Sequence, residues 1–182
     1  MPILIIFIVL LVVVAGIYNG LVSARNKVKN AWSQIDVQLQ RRFDLIPNLI
    51  ESVKGYMGHE EGVLTKVTEL RNSWASAKTV LEKASLDDEL TGALKTIMAV
   101  SENYPDLKAD KSFSELQEEL RNTENKIAYA RQFYNDSVTM YNTKIQMVPT
   151  NIIAAMFNFK EEELFKTDSL EARKNVKVDF SK

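Results

Sequence analysis

His59-Glu60-Glu61 is the first stretch of this 182-residue chain that invites a chemical reading. A histidine followed by glutamate opens the metal-binding helix of many zinc proteases. That helix needs a second histidine one turn on, and Val63 stands there instead. His59 is the single histidine and there is no cysteine. A paired-histidine or thiolate metal site, a disulfide, a cysteine nucleophile and a lipid-modified cysteine are all excluded within one chain. Flanked by Gly58 and Gly62, His59 reads as a capping or surface group, and no metal or cofactor is expected.

Two other constellations carry polar chemistry. Arg41, Arg42 and Asp44, with Asn48 and Glu51, form a polar strip beside an apolar stripe, and three- and four-residue spacing makes Arg41, Asp44 and Asn48 helix neighbours; Asp36 stands upstream of it. As structure, an Arg41–Asp44 ion pair supports the helix at Pro47 by about 0.2 to 0.5 kcal/mol. As function, the strip is a recognition surface. Tyr134-Asn135 and Tyr141-Asn142 stand one heptad apart, so both tyrosines face the core with satisfied hydroxyls and both asparagines lie on the flank. Glu161 to Glu163 read as a solvated turn. No phosphate loop, nucleophile elbow or paired-carboxylate site is present. Asp36, Arg41, Arg42 and Asp44 are the sole candidates for an unfamiliar enzyme, and little of what an active site requires is met.

These residues must be positioned by helices. From Tyr18 to His59, the positions Val28, Trp32, Ile35, Leu39, Phe43, Ile46, Ile50, Val53 and Met57 recur in threes and fours, one buried stripe on a long helix. Pro47 interrupts it. Either the helix kinks there, or it restarts with Asp44 as cap and Pro47 in the first turn; the unbroken phase of the stripe favours the kink. Gly55 and Gly58 end the element. A second helix is predicted from about Glu60 to Ala84, with Leu81 on its stripe, and a third opening at Ser85 with Asp88 and Glu89 in its first turn. Tyr104-Pro105 closes the third, and Asp106 to Asp110 read as a polar turn. A Ser112/Glu115 capping box opens a fourth helix whose stripe runs from Phe113 to Val148, stopping at Pro149. A short helix over Asn151–Phe157 and an irregular tail follow, with an alternating, extended segment from Val176 to Phe180.

The N-terminus sets the location. Ile3 to Ile17 is apolar at every position, and Tyr18, Leu21 and Val22 extend it. Some 15 to 20 helical residues span about 22 to 30 Å, enough to cross a bilayer core at the short end of the range. No Lys or Arg precedes the run and no small-x-small cleavage site follows it, so a retained anchor is read over a signal peptide. Arg25, Lys27 and Lys29 follow the run, which places the N-terminus outside and the rest in the cytoplasm. The trio also suits anionic headgroups. Gly16, Gly20 and Ala24 share a face at four-residue steps, a pattern that lets two membrane helices approach closely. Net charge −1 and pI near 6.0 favour no nucleic-acid partner.

The chain resembles the bacterial LemA family. The likeness rests on Tyr18-Asn19-Gly20-Leu21-Val22, Arg25-Asn26, Ala31 to Leu39, Arg41-Arg42, Asp44 to Ile50, Lys54-Gly55-Tyr56 and His59-Glu60. Further on it includes Ala130 to Asn135, Tyr141-Asn142, Pro149 to Ile152 and Val178-Asp179-Phe180. The stretch from about Ser73 to Lys111 carries little of it. Before the final Val-x-Phe the family usually has a proline; here Asn175-Val176-Lys177 stands in its place. The resemblance implies one N-terminal anchor, a four-helix bundle and no established catalytic activity. By analogy with a relative in magnetosome membranes and with genes beside membrane proteases, it hints at membrane-associated scaffolding.

The expectation is therefore an all-α protein. Residues 1–22 form a transmembrane helix that continues into an antiparallel four-helix bundle over residues 23–182, with a short C-terminal helix and extended tail. It sits single-pass in the inner membrane with its domain cytoplasmic. Its function is a non-catalytic scaffold or adaptor engaging an unidentified membrane or cytoplasmic protein through Asp36, Arg41, Arg42, Asp44 and Asn48. Self-assembly into a membrane-organising homo-oligomer, through Gly16, Gly20, Ala24, Arg25, Lys27 and Lys29, is the alternative.

Overall fold

A computed structural model describes residues 1–56 and 61–165. His59, Gly58 and the Val176–Phe180 tail, singled out above, lie outside the described residues. Seven helices form in the described part: α1 (Pro2–Asp44), α2 (Ile46–Lys54), α3 (Glu61–Ser76), α4 (Val80–Ser101), α5 (Pro105–Ala109), α6 (Lys111–Gln146) and α7 (Thr150–Met156). Among the described residues no strand forms.

The 43-residue α1 is about 65 Å long at helical rise. Its first part, Ile3 to Val13, exposes every side chain, whereas from Leu21 onward Ala24, Val28, Ala31, Ile35, Leu39 and Phe43 are buried in steps of three and four. One helix thus passes from an apolar segment without cover into the core of a bundle. At Leu45 the ladder breaks for a single residue, with helical angles of φ −77° and ψ −17°. Pro47 has no N–H to continue the ladder. Leu45 N–H instead reaches back to Arg41 O (3.3 Å) and Arg42 O (3.2 Å), and Leu49 N–H resumes at Leu45 O (3.0 Å). The path and the buried stripe (Ile46, Leu49, Val53) continue, as the kink reading requires. Asp44 caps nothing here; it accepts from Gln40 Nε2 at 2.8 Å.

Cross-helix pairs give the directions. Arg41 meets Glu119 and Trp32 meets Tyr134, so α1 and α6 run antiparallel. Lys66 with Glu89 sets α3 against α4, and Gln117 with Met98 sets α4 against α6. The described helices α1/α2, α3, α4 and α6 are consistent with an up-down-up-down four-helix bundle.

Two predicted helix starts, one loop and the end of one stripe need correction. The second and third helices divide at Thr79, not Ser85. Thr79 Oγ1 accepts from Glu82 N at 3.1 Å while Glu82 Oε2 accepts from Thr79 N at 3.0 Å. This reciprocal box outcompetes Ser85, which has Asp88 rather than Glu or Gln three residues on. Ser85 is exposed within α4, and so is Leu81, expected on the buried stripe of the second helix. Helix α6 is capped by Asp110, whose Oδ1 accepts from Phe113 N at 2.9 Å, rather than by Ser112. The segment read as a polar turn is α5, with Pro105 in its first turn and Leu107 fully buried. Val148, placed at the end of the α6 stripe, lies beyond the helix and is exposed.

Candidate functional site

The polar residues singled out from the sequence separate into buried and exposed sets. Arg42 is the buried one. It stands three residues after Leu39 and four before Ile46, so its Cβ falls on the edge of the stripe, and the guanidinium enters the bundle between α4 and α6. Arg42 Nη1 lies 2.6 Å from Asp87 Oδ1 and 2.7 Å from Glu124 Oε2. Asp87 is fully buried on α4 and is approached from the other side by Arg131 of α6 at 3.7 Å. Arg131 also lies 3.9 Å from Asp88. Burial pushes the Asp87 carboxyl above the usual carboxylate range, against the pull of Arg42.

Around this cluster the remaining members occupy distinct roles. Asp36 pairs with Lys83 of α4, whose ammonium sits 4.7 Å from the Trp74 ring centre and 5.8 Å from that of Trp32. Trp74 stacks on Phe43 at 4.5 Å and donates to Gln40 Oε1 at 3.1 Å. Arg41 and Asp44 do not pair with each other as expected. Arg41 crosses to Glu119 on α6, and Asp44 takes Gln40. Asn48 is exposed on α2. Asp36, Arg41 and Arg42 are thus joined to α4 and α6, while Asp44 and Asn48 stay on the surface.

A groove of about 960 Å³ opens over this cluster between α4 and α6. Arg42 and Glu124 reach its wall, with Leu94, Met98, Gln117 and Leu120. Its glutamates are all paired: Glu102 with Lys108, Glu115 with Lys111, Glu118 with Arg121, Glu119 with Arg41, Glu124 with Arg42. Among the described residues no three His, Cys, Asp or Glu side chains gather where they could hold a metal ion.

The tyrosine–asparagine repeat does something the spacing alone did not reveal. Residues 159–165 run as an extended strap back along α6, where a solvated turn was expected at Glu161 to Glu163. Tyr134 Oη donates to Glu163 O (2.8 Å) and Tyr141 Oη to Lys160 O (2.9 Å). Asn135 holds both backbone groups of Phe165, donating to its O at 3.1 Å and accepting from its N at 2.8 Å. Asn142 does the same to Glu162, at 2.9 and 3.0 Å. Seven helical residues advance about 10.5 Å and three extended residues about 10 Å, so each heptad of α6 matches three residues of strap. The expected satisfied tyrosine hydroxyls are present, and the strap backbone satisfies them. Burial, reinforced by Glu162 and Glu163, pushes the Tyr134 phenol up to about 12. Burial, then Glu162, also raises Tyr141, with Arg25 opposing.

The strap and the charge cluster touch. Phe165 is buried 6.2 Å from the Trp32 ring, and the Arg131 guanidinium lies 4.6 Å over its face. Phe159 packs 5.8 Å from Tyr18 and under Arg25 at 4.9 Å. Of the candidate self-association residues, Gly16 is exposed, Gly20 half-buried and Ala24 buried in the bundle, while Lys27 and Lys29 are exposed.

The sequence profile of the LemA family matches residues 31–180, a span that holds the Arg42–Asp87 cluster, the strapped α6 and the strap. The chain belongs to the LemA family. It is 30% identical over 173 residues to Protein LemA of Metamycoplasma hominis, covering 93% of this chain and 76% of that one. It is 26% identical over 175 residues to Magnetosome protein MamQ 2 of Paramagnetospirillum magneticum, and 22% over 174 residues to MamQ of Magnetospirillum gryphiswaldense. The alignments cover 82% and 81% of this chain but 64% of each magnetosome protein. These LemA and MamQ names denote no reaction. With one helix among the described residues long and apolar enough to cross a membrane, at mean hydropathy 2.8, this LemA-family chain reads as a membrane-associated protein.

Asp87, Glu124, Arg131 and Lys83 were not found by sequence reasoning. For Asp87 a signal existed. It lies in step with Ala84, Leu90, Leu94 and Ile97, so a carboxylate occupied an apolar stripe.

Proposed function

We propose that this LemA-family protein is a non-catalytic scaffold of the inner membrane, with its N-terminus outside and its bundle in the cytoplasm, where it engages a protein partner. The basic trio Arg25, Lys27 and Lys29 after the apolar segment supports that orientation. The observation that carries partner binding is the outer face shared by α1 and α6. There Val37, Tyr129 and Phe133 are 61%, 76% and 53% exposed around a hollow of about 530 Å³, ringed by Ser33, Gln34, Gln38 and Lys126. Exposed aromatics with a polar rim are the usual make-up of a protein interface. The polar strip contributes its exposed members, Arg41, Asp44 and Asn48, at one end of α1 and α2.

The test is purification of the full-length protein from its native membrane in mild detergent, beside a Tyr129→Ala/Phe133→Ala variant. A distinct protein at fixed ratio with the wild type, and absent from the variant, supports the reading. A wild type that comes alone and monomeric overturns it. A self-assembling reading is favoured by Gly16 and Gly20, which have open space where a side chain would stand. It predicts the protein alone at several times its own mass by light scattering.

A further inference from the structure

The charge-free stretch that links α6 to the strap has no place in the partner reading. From Ile145 to Phe159 no Asp, Glu, Lys or Arg occurs, and Lys144 and Lys160 bracket the run. Within it, α7 turns only Ile153 and Ala154 into the bundle. Ile152, Met156, Phe157, Met147 and Val148 stay 51–76% exposed. Scattered apolar residues are normal on a protein surface, but five large ones on one uncharged segment make a patch that needs a cover.

Its position names the cover. Phe157 packs against Tyr18 at 4.7 Å, and Tyr18 is the first aromatic after the apolar Ile3–Ile17 segment of α1. Because α6 runs antiparallel to α1, its C-terminal end and α7 arrive where that segment leaves the bundle. Amphipathic aromatics and lysines concentrate at the level of lipid headgroups. Tyr18 and Arg25 touch Phe157 and Phe159 at this end of the molecule, and Lys144 and Lys160 flank the run. The patch is therefore continuous with the lipid-facing helix.

We propose that α7 and the adjoining Met147, Val148 and Phe157 form a second membrane contact, a foot seated in the interfacial layer of the bilayer beside the anchor. This rests on the reading of Ile3–Ile17 as the anchor. Two contacts fix the attitude of the bundle to the membrane, whereas one helix leaves it free to tilt. They also hold the strap, since Phe159 follows α7 directly and packs on Tyr18 and Arg25.

The absence of cysteine makes the test direct. Single variants Ile152→Cys, Met156→Cys, Tyr129→Cys and Val9→Cys of the full chain, all at exposed positions, are labelled with an environment-sensitive fluorophore. They are reconstituted into phosphatidylcholine–phosphatidylglycerol vesicles. Nitroxides carried on shallow or deep lipid positions report lipid contact, and iodide reports water. The expected result is strong quenching of 152 and 156 by shallow nitroxides, of 9 by deep ones, and of 129 by iodide, each differing severalfold from the other pattern. If 9 meets lipid while 152 and 156 behave like 129, the foot is wrong and the anchor stands. If 152 and 156 are shielded from both quenchers, a protein covers the patch and the proposal also fails. If 9 itself meets no lipid, the anchor reading falls and the foot with it.

Discussion

Arg42 and Asp87, 45 residues apart in sequence, meet at 2.6 Å inside the bundle with side chains 3% and 0% exposed. A buried pair of this kind gains little over apolar residues of the same size, because desolvation offsets the attraction; breaking it is costly, because one charge stays behind. Arg42→Met or Asp87→Leu alone is expected to lower unfolding free energy by about 3 to 5 kcal/mol, and the double variant by much less than the sum. Denaturant unfolding of the four proteins of the cycle measures this. Additive losses would mean the pair is not a unit.

The asparagine rungs make a second prediction. Each holds both backbone groups of one strap residue, so Asn142→Ala removes two hydrogen bonds at Glu162. At about 1 kcal/mol net per bond, the expected loss is about 1 to 3 kcal/mol. Hydrogen exchange should quicken at the amides of residues 160–165 far more than in α4. Equal acceleration in both would show that the strap is held by its phenylalanines and not by the rungs.

Alkaline pH should reach the strap through Tyr134. The folded phenol sits at about 12 against an ordinary 10.0. Between those values the unfolded chain has lost this proton and the folded chain has kept it, so the folded state binds more protons and stability falls as pH rises. The effect is absent below pH 10 in neutral and acidic buffer alike. Tyr134→Phe should flatten the fall in stability between pH 10 and 12 while losing the bond to Glu163 O at every pH. An unchanged alkaline slope would contradict the assignment.

Much of the fold was legible because apolar periodicity is a strong signal. Phe113, Leu116, Leu120, Ile127, Tyr134, Val138, Tyr141 and Ile145 were read as one stripe and are one buried stripe. Boundaries were less legible, since Thr79, Ser85, Asp110 and Ser112 all offer cap chemistry and only the completed hydrogen bonds decide among them. Arg42 was visible as part of a polar strip but not as buried, because its partners Asp87 and Glu124 come from two other helices. The strap was invisible for a simpler reason. It is recognised through its backbone, which every sequence shares, so the signal lay in Tyr134-Asn135 and Tyr141-Asn142 and none in Lys160 to Leu164.

The correction at Thr79 can be tested without a structure. Thr79→Ala removes the acceptor for Glu82 N and is expected to cost about 0.5 to 2 kcal/mol. Ser85→Ala, on the exposed face of α4, should stay within about 0.5 kcal/mol of wild type. The reverse order would restore Ser85 as the helix start.

Arg131 joins the charge cluster to the strap, with Asp87 Oδ2 at 3.7 Å on one side and the Phe165 ring at 4.6 Å on the other. A guanidinium over an aromatic face contributes about 0.5 to 2 kcal/mol, more as water is excluded, and its flat shape matters to the stacking. A cycle of Arg131→Ala, Phe165→Ala and the double variant should therefore show coupling of about that size. Arg131→Lys keeps the charge near Asp87 but gives up the planar contact, so it should retain the bundle's stability while hydrogen exchange rises at Phe165. If lysine protects Phe165 as well as arginine does, charge alone holds the strap end. If neither residue couples to Phe165, the strap and the buried cluster are independent, and Trp32 alone fixes the ring.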